Sequence, residues 1–393
     1  MREGITIIIP TRNGGERFKK CLRAIKEQQY AHPVQLIVID SGSSDGTLKA
    51  AENQGAKIIK IKHQDFHHSR TRNEALKHAI HDKVVFLVQD AIPVSSIWLN
   101  IMTKAIEGND MAAAYGHHLP HDDADLFAWF ETTSHAQFLG KSTLVQSINS
   151  IDSFIKMPYD RAVRLTQCDN VCAIYKRDLL NKVLFPDVVF GEDMAWAKTI
   201  LLNGFKVKYD PSIQVRHSHN RSPDYWFRRA LIGSFISASI LERVRDDLSF
   251  LTCENLKQAE KILKSRQTRI SELINRKKGY GQKSPAPILS VLYRNPLVKN
   301  SLAMIYERLV VLGGRRQWLF SFPRIVDARI GYILNIVKNA FPRATNNQLI
   351  SCVDRTISLI KGNLYGVVAA SYSLKGSLPP ELSNLVSPFL QGL

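Results

Sequence analysis

Four clusters in this chain carry side chains that handle charge: Pro10-Thr11-Arg12-Asn13; Asp40-Ser41 with the following GSSDGT; Gln89-Asp90; and Glu192-Asp193 with His217 and His219 downstream. Asp90 closes the apolar run VVFLVQ, and a carboxylate there suits Mg2+ or Mn2+, which prefer oxygen ligands and few protein contacts. His217 and His219 alternate with Ile213 and Val215, so a continuing strand places all four on one face and lets either imidazole reach the same cation. Two strand-end histidines satisfied by backbone carbonyls is the competing reading. Glu192 and Asp193 open a helix, where negative charge is favourable by itself and where a carboxylate can also accept a proton. Arg72 offers a planar fork to an anionic ligand, or is a solvated surface residue. The Ser/Asp turn after Asp40 caps the next helix, whose N-terminus also suits an anion.

These residues sit at the ends of alternating elements. GITIII before Pro10 reads as a strand buried on both faces, and Phe18, Cys21, Leu22 and Ile25 form a helical stripe after it. VQLIVID, a helix near Leu48 to Glu52, AKIIKIK, a helix near Thr71 to Ile80 and VVFLV continue the alternation. The pattern predicts an α/β fold, with a mostly parallel sheet between helices and ligands beyond the carboxyl ends of its strands. From Met111 to Cys168 the periodicity weakens, which predicts loops and short helices. A helix with Met194, Ala197, Ile200 and Leu201 stops at Gly204, and FKVKYDP and SIQVRHSH read as strands. Beyond Pro223 the pattern is helical, broken by a Gly/Pro-rich stretch at 279–287.

The chain has 393 residues, 45% hydrophobic and 22% charged, which excludes a mostly disordered polymer. No apolar run is long enough to span a bilayer, and the N-terminal one is too short for a secretory signal, so the expectation is a cytosolic protein. Five scattered cysteines make no disulfide framework, and Cys168 and Cys172 read as buried thiols. No Gly-x-Gly-x-x-Gly, Walker or Gly-x-Ser-x-Gly motif is present, which removes the usual support for a dehydrogenase, an NTPase or a serine hydrolase. His63, His67 and His68 have no metal-like spacing. The net charge of +18 is uneven: +4 over residues 1–222 and +14 over 223–393. Nucleic acid would fit the basic half, yet no nucleic-acid motif is visible and the strand-end acids would stay unexplained.

Six segments in order, DFHHSRTRN, FLVQDAIP, YGHHLP, CDNVCAIYKRD, FGEDMAWAKTILLNGFKVKYDP and VRHSHNRS, resemble the family 2 inverting glycosyltransferases and within them the bacterial rhamnosyltransferase branch. The resemblance covers roughly residues 4 to 240. It implies a GT-A fold over 1–245, and residues 246–393 are expected to form a basic, mainly helical region. It implies a nucleoside-diphosphate sugar donor, dTDP-rhamnose above all, bound by Pro10, Thr11, Arg12, Asn13, Asp40, Ser41, His68, Arg72, Gln89, Asp90 and Asn170. Asp193 is the expected general base with Glu192 supporting it or in its place, and Asp90 with His217 or His219 holds Mg2+ or Mn2+. One departure matters: relatives often show Asp-x-Asp where this chain reads Gln89-Asp90-Ala91.

The implied acceptor is a glycan, polyprenyl-diphosphate-linked, at the inner face of the cell membrane. The apolar stretch Tyr225 to Leu241 suits a buried or membrane-facing helix, and Arg276-Lys277-Lys278 and Arg315-Arg316 suit anionic headgroups. The same charges would also serve a solvated appendage or self-association into a homo-oligomer. A catalytically weak scaffold or binding protein of this fold, and a transferase for another donor such as a UDP-hexose, are the alternatives.

Overall fold

Ile5, Ile7, Ile8 and Ile9 are wholly buried in β1 (Arg2–Thr11), the strand around which the first half of a sheet is built. The computed structural model describes residues 2–188, 190–245, 248–276 and 314–390. Lys277, Lys278, the 279–287 break and the side chains of Arg315 and Arg316 lie outside the described residues. In chain order the elements of the first half are α1 (Gly15–Lys26), β2 (Val34–Asp40), α2 (Thr47–Glu52), β3 (Lys57–Lys60), α3 (His68–Leu76), β4 (His81–Leu87), β5 (Ile92–Pro93) and α4 (Trp98–Ala105). They are followed by β6 (Met111–Leu119), α5 (Leu126–Leu139), β7 (Leu144–Gln146), α6 (Ile151–Ile155), α7 (Tyr159–Leu165), β8 (Cys172–Lys176), α8 (Arg177–Lys182), α9 (Glu192–Leu202) and β9 (Lys206–Arg216). The strands lie in the order β3-β2-β1-β4-β8-β6-β9-β5, with β7 on β9.

The expected parallel sheet is found from β3 to β4, where every pairing is parallel. Beyond β4 the sheet is mixed, because β8 enters antiparallel to both β4 and β6. That reversal matters for function: the beginning of β8 lies where β1 and β4 end. The alternation of side chains sends Ile8, Val84 and Phe86 to one face, with α3, α8 and α9, and Ile7, Ile9, Val85 and Leu87 to the other, with α1 and α4.

Loops and short helices were expected over 111–168, but this stretch contains the strand β6 and the long helix α5. The run MAAAY hid a strand because alanine has little β preference; it is buried from Met111 to Tyr115, so burial outweighs propensity. FKVKYDP and SIQVR form a single strand, β9, and His217 and His219 follow its last residue. Cys168 and Cys172 are buried free thiols, as expected, and burial raises both pKa values.

The chain divides into two compact units, the first comprising described residues up to Ala124, Glu131–His219 and those from Ser387 on. The second comprises Asp125–Phe130 and the described residues from Asn220 to Val386. Its helices are α10 (Pro223–Leu241), α11 (Cys253–Arg276), α12 (Gly314–Ala340), α13 (Asn346–Leu374) and most of α14 (Pro380–Leu390). Helix α10 buries Leu231, Ile232, Phe235, Ala238 and Leu241, the buried alternative of the two expected for it. Gly362 and Gly366 of α13 face its backbone, and a methyl at either position would run into the carbonyl of Phe227 or Leu231. Among the described residues no helix is long and apolar enough to cross a membrane.

Candidate active site

The loop after β1 and the loop after β2 are stitched into one rim. Asn13 accepts from the Ser44 N–H at 2.8 Å, its own N–H donates to Ser43 Oγ at 2.8 Å, and Gly14 N–H reaches Thr47 Oγ1 at 2.8 Å. Asp40 is buried and accepts from the Gly42 and Ser43 N–H groups at 3.0 and 2.9 Å and from the Ser43 hydroxyl. It therefore holds the turn, and a nucleobase or ribose would have to share a carboxylate already engaged by three donors. Ser41 is buried and its N–H donates to the Thr11 carbonyl at 3.0 Å. Pro10 and Thr11 pair in register with Ile39 and Asp40 at the end of β1. Arg12 is exposed, with Nη1 2.7 Å from His63 Nε2.

Gln89 clasps this rim. Its Oε1 accepts from Thr11 Oγ1 at 2.7 Å and Arg12 N–H at 2.9 Å, while its Nε2 donates to the Arg12 carbonyl at 3.2 Å. A carboxylate could accept those two bonds but could not donate the third. Gln89 is thus used as an amide.

Asp90, the next residue, faces two imidazoles. His217 Nε2 and His219 Nδ1 each lie 3.6 Å from one of its oxygens, and the three ligand atoms fall within 4.8 Å of one another. The sequence left open which histidine would reach Asp90; both do. The segment carrying them is pinned by His217 N–H to the Leu119 carbonyl at 2.8 Å and by the His121 N–H to Ser218 Oγ at 3.0 Å. Two imidazoles and a carboxylate suit a divalent cation that completes its shell with phosphate oxygens or water, so the donor set fits the metal expected for it. A cleft of about 800 Å3 borders Asp90, lined among others by Gly14, Arg17, Gln89, His121 and Arg216.

Antiparallel β8 brings Asp169 and Asn170 to the same rim. Gly191, at φ 75° in the left-handed region, turns the chain into α9 so that Glu192 and Asp193 face Asn170. Asn170 N–H donates to Asp193 Oδ2 at 3.0 Å, and Asn170 Nδ2 donates to Glu192 Oε1 at 3.0 Å. The two adjacent acids then diverge. Glu192 is buried against Arg72, with Oε1 3.0 Å from Nη1 and both side chains 5% exposed. Burial acts to raise its pKa, but the charges of Arg72 and His68 and the Asn170 hydrogen bond outweigh it and hold Glu192 below the ordinary value. Asp193 has no such cation: burial first, then the charges of Glu192 and Asp169, push it up to about 7.

Arg72 is a correction to the sequence reading. It is neither a surface residue nor open to a diphosphate, because it is 4% exposed, paired with Glu192, and donates to the His68 carbonyl at 2.9 Å. An isolated buried carboxylate beside Asp193 would be costly, and Arg72 removes that cost. His68 stands between the rings of Phe66 and Phe190, at centroid distances of 5.2 and 5.7 Å.

Sequence reasoning missed His118, His135 and Asp169. His118 rings lie 5.4 Å from His217 and 5.6 Å from His135, and its Nε2 is 3.7 Å from Asp169 Oδ2. The pair His117-His118 was visible in YGHHLP, but without β6 nothing gave it a direction.

A glycosyl transferase family 2 model matches residues 6–184. The O-antigen chain rhamnosyltransferase RfbN of Salmonella typhimurium is 35% identical over 231 residues, 57% of this chain and 69% of that protein. WbaN of Salmonella anatum, named likewise, is 35% identical over 230 residues with the same coverage. Among solved structures, a mannosyltransferase from Pyrobaculum calidifontis in complex with GDP-Man and Mn2+ matches with TM-score 0.47 and 18% identity, over 88% of this chain and 89% of that one. With this relationship and a carboxylate-imidazole rim at the strand ends, the chain belongs to glycosyl transferase family 2 and is a glycosyltransferase homologous to the O-antigen chain rhamnosyltransferases.

Proposed function

We propose that this enzyme transfers L-rhamnose from dTDP-rhamnose to a growing, lipid-linked bacterial surface polysaccharide, with inversion at the anomeric carbon. The names of its relatives support the sugar and the polymer. The observation that carries the chemistry is a contiguous chain of contacts. Asp90 meets His217, His217 meets His118, His118 meets Asp169, and Asn170 binds Asp193. A group that accepts protons near neutral pH and a group that suits a cation thereby share one rim.

In this reading the acceptor hydroxyl attacks C1 of the donor sugar while the bond from C1 to the diphosphate oxygen breaks on the opposite face. Asp193 takes the hydroxyl proton, and Asn170 N–H and the backbone of α9 fix its carboxylate. Glu192 and Arg72 neutralise one another and hold Asn170, so Glu192 is a positioning residue rather than the base. Thr11, Arg12, Asn13 and Asp40 shape the nucleoside end, fixed by Gln89. A divalent cation, Mg2+ or Mn2+, at Asp90, His217 and His219 would offset charge on the departing nucleoside diphosphate. A β-linked donor would yield an α-rhamnoside. The acceptor's lipid places the enzyme at the cytoplasmic face of the membrane, where the basic second half would meet anionic headgroups.

The test is a thermal-shift and transfer panel of nucleotide sugars with Mn2+, Mg2+ or chelator. Stabilisation by dTDP-rhamnose that chelator weakens, together with transfer to a lipid-linked acceptor, is the expected result. Stabilisation by a different nucleotide sugar alone would overturn the donor assignment.

A further inference from the structure

We propose that His118, His135 and Asp169 form a second metal site, separate from Asp90, that takes a borderline divalent ion such as Zn2+ through two imidazoles and one carboxylate. Three elements converge to make it. His118 lies near the end of β6, His135 on α5, and Asp169 just ahead of β8. The antiparallel register that sets Tyr115 opposite Ala173 carries His118 to the level of Asp169. His118 Nε2 stands 3.7 Å and His135 Nε2 3.9 Å from the same oxygen, Asp169 Oδ2, and the three atoms fit within 4.8 Å. An ion with bonds of about 2.0–2.1 Å separates neighbouring tetrahedral ligands by about 3.4 Å, so each imidazole nitrogen stands only a few tenths of an ångström beyond that spacing from Asp169 Oδ2.

Two further observations point to a ligand. His118 is 7% exposed, and its Nε2, aimed at the carboxylate, has no hydrogen-bond partner. A buried ring nitrogen left so is costly, and a metal bond would satisfy it. Asp169 is also oriented from behind: the Val171 N–H donates to Oδ1 at 2.9 Å, which turns Oδ2 toward the two rings. Such support of a ligating carboxylate is what metal sites require. The His118 and His135 rings stack at 29°, so their Nε2 edges approach one oxygen together. The neighbouring Asp90 site shares none of these residues.

Metal content tests the site without any assay of transfer and independently of the donor reading. In the full chain the double variant Asp90→Asn/His219→Ala removes two ligands of the first site. After equilibrium dialysis against buffered Zn2+ alone, elemental analysis should find one ion per chain in this variant. Adding His135→Ala, a partly exposed position, should remove that ion while the melting curve of the metal-free protein stays in place. Asp169→Asn in place of His135→Ala should do the same, and Co2+ should give a visible spectrum that disappears with the same substitutions. Absence of bound metal in the double variant overturns the proposal. So does an ion that survives both His135→Ala and Asp169→Asn.

Discussion

Replacing Asp193 by asparagine probes the base directly, because this substitution keeps the shape and removes the ability to take a proton, at the cost of one of the two backbone N–H bonds its oxygens accept. With its pKa at about 7, Asp193 is about one part in eleven ionised at pH 6 and about ten parts in eleven at pH 8. The kcat/KM of the native enzyme should therefore rise about tenfold between those values, with unit slope below pH 7. Asp193→Asn should lose about 10²–10⁴-fold in kcat and show no such rise. Stability moves the other way. A carboxyl whose folded pKa lies above its unfolded value of 3.8 stabilises the fold fully below that value; the contribution falls between pH 3.8 and about 7, with a limiting slope of about 1.4 kcal/mol per pH unit, and is gone above pH 7. The variant lacks this slope, so above pH 7 it should melt higher than the native protein. Radiolabelled transfer across a pH series, with urea melts on the same samples, provides both readings. A variant within a few-fold of native activity, or a native profile flat from pH 6 to 8, would refute the reasoning.

Other substitutions separate positioning from binding. Arg72→Met leaves Glu192 buried without its cation and should cost about 3–5 kcal/mol in urea unfolding. Asp90→Asn should abolish the effect of Mn2+ on nucleotide affinity, measured by titration calorimetry with and without chelator. Gln89→Ala removes three hydrogen bonds from the 11–12 segment and should raise the donor KM more than it lowers kcat. Gly366→Ala forces apart α10 and α13 and should destabilise the second unit by about 1–3 kcal/mol or more, seen as a lower urea midpoint.

The sequence shows those parts of the molecule where periodicity and burial agree. GITIII, VQLIVID and VVFLV announce β1, β2 and β4, and with them the strand ends that carry Thr11, Asp40 and Asp90. Alternation along SIQVRHSH set both histidines toward Asp90 in the sequence, but β9 stops at Arg216, and it is the segment after the strand, held by the His217 N–H on the Leu119 carbonyl, that brings them there. What stayed hidden depends on contacts between distant segments. β6 is built from alanines whose burial no local pattern reveals, and without it His118 had no direction and Asp169 no neighbour. Arg72 and Glu192 are 120 positions apart, and only the packing of α3 beside α9 turns one into the counter-ion of the other. The Glu192-Asp193 pair illustrates the limit: two like residues in sequence are made unlike, chiefly by the Arg72 guanidinium beside one of them.

Gln89 joins two duties. Its amide grips the loop at Thr11 and Arg12 while its peptide bond leads straight to Asp90. A tilt of that loop on ligand entry would reach the neighbouring carboxylate through one residue, a mechanical linkage as short as a polypeptide allows. Substitutions in the loop should accordingly be felt at Asp90 even when they touch nothing there.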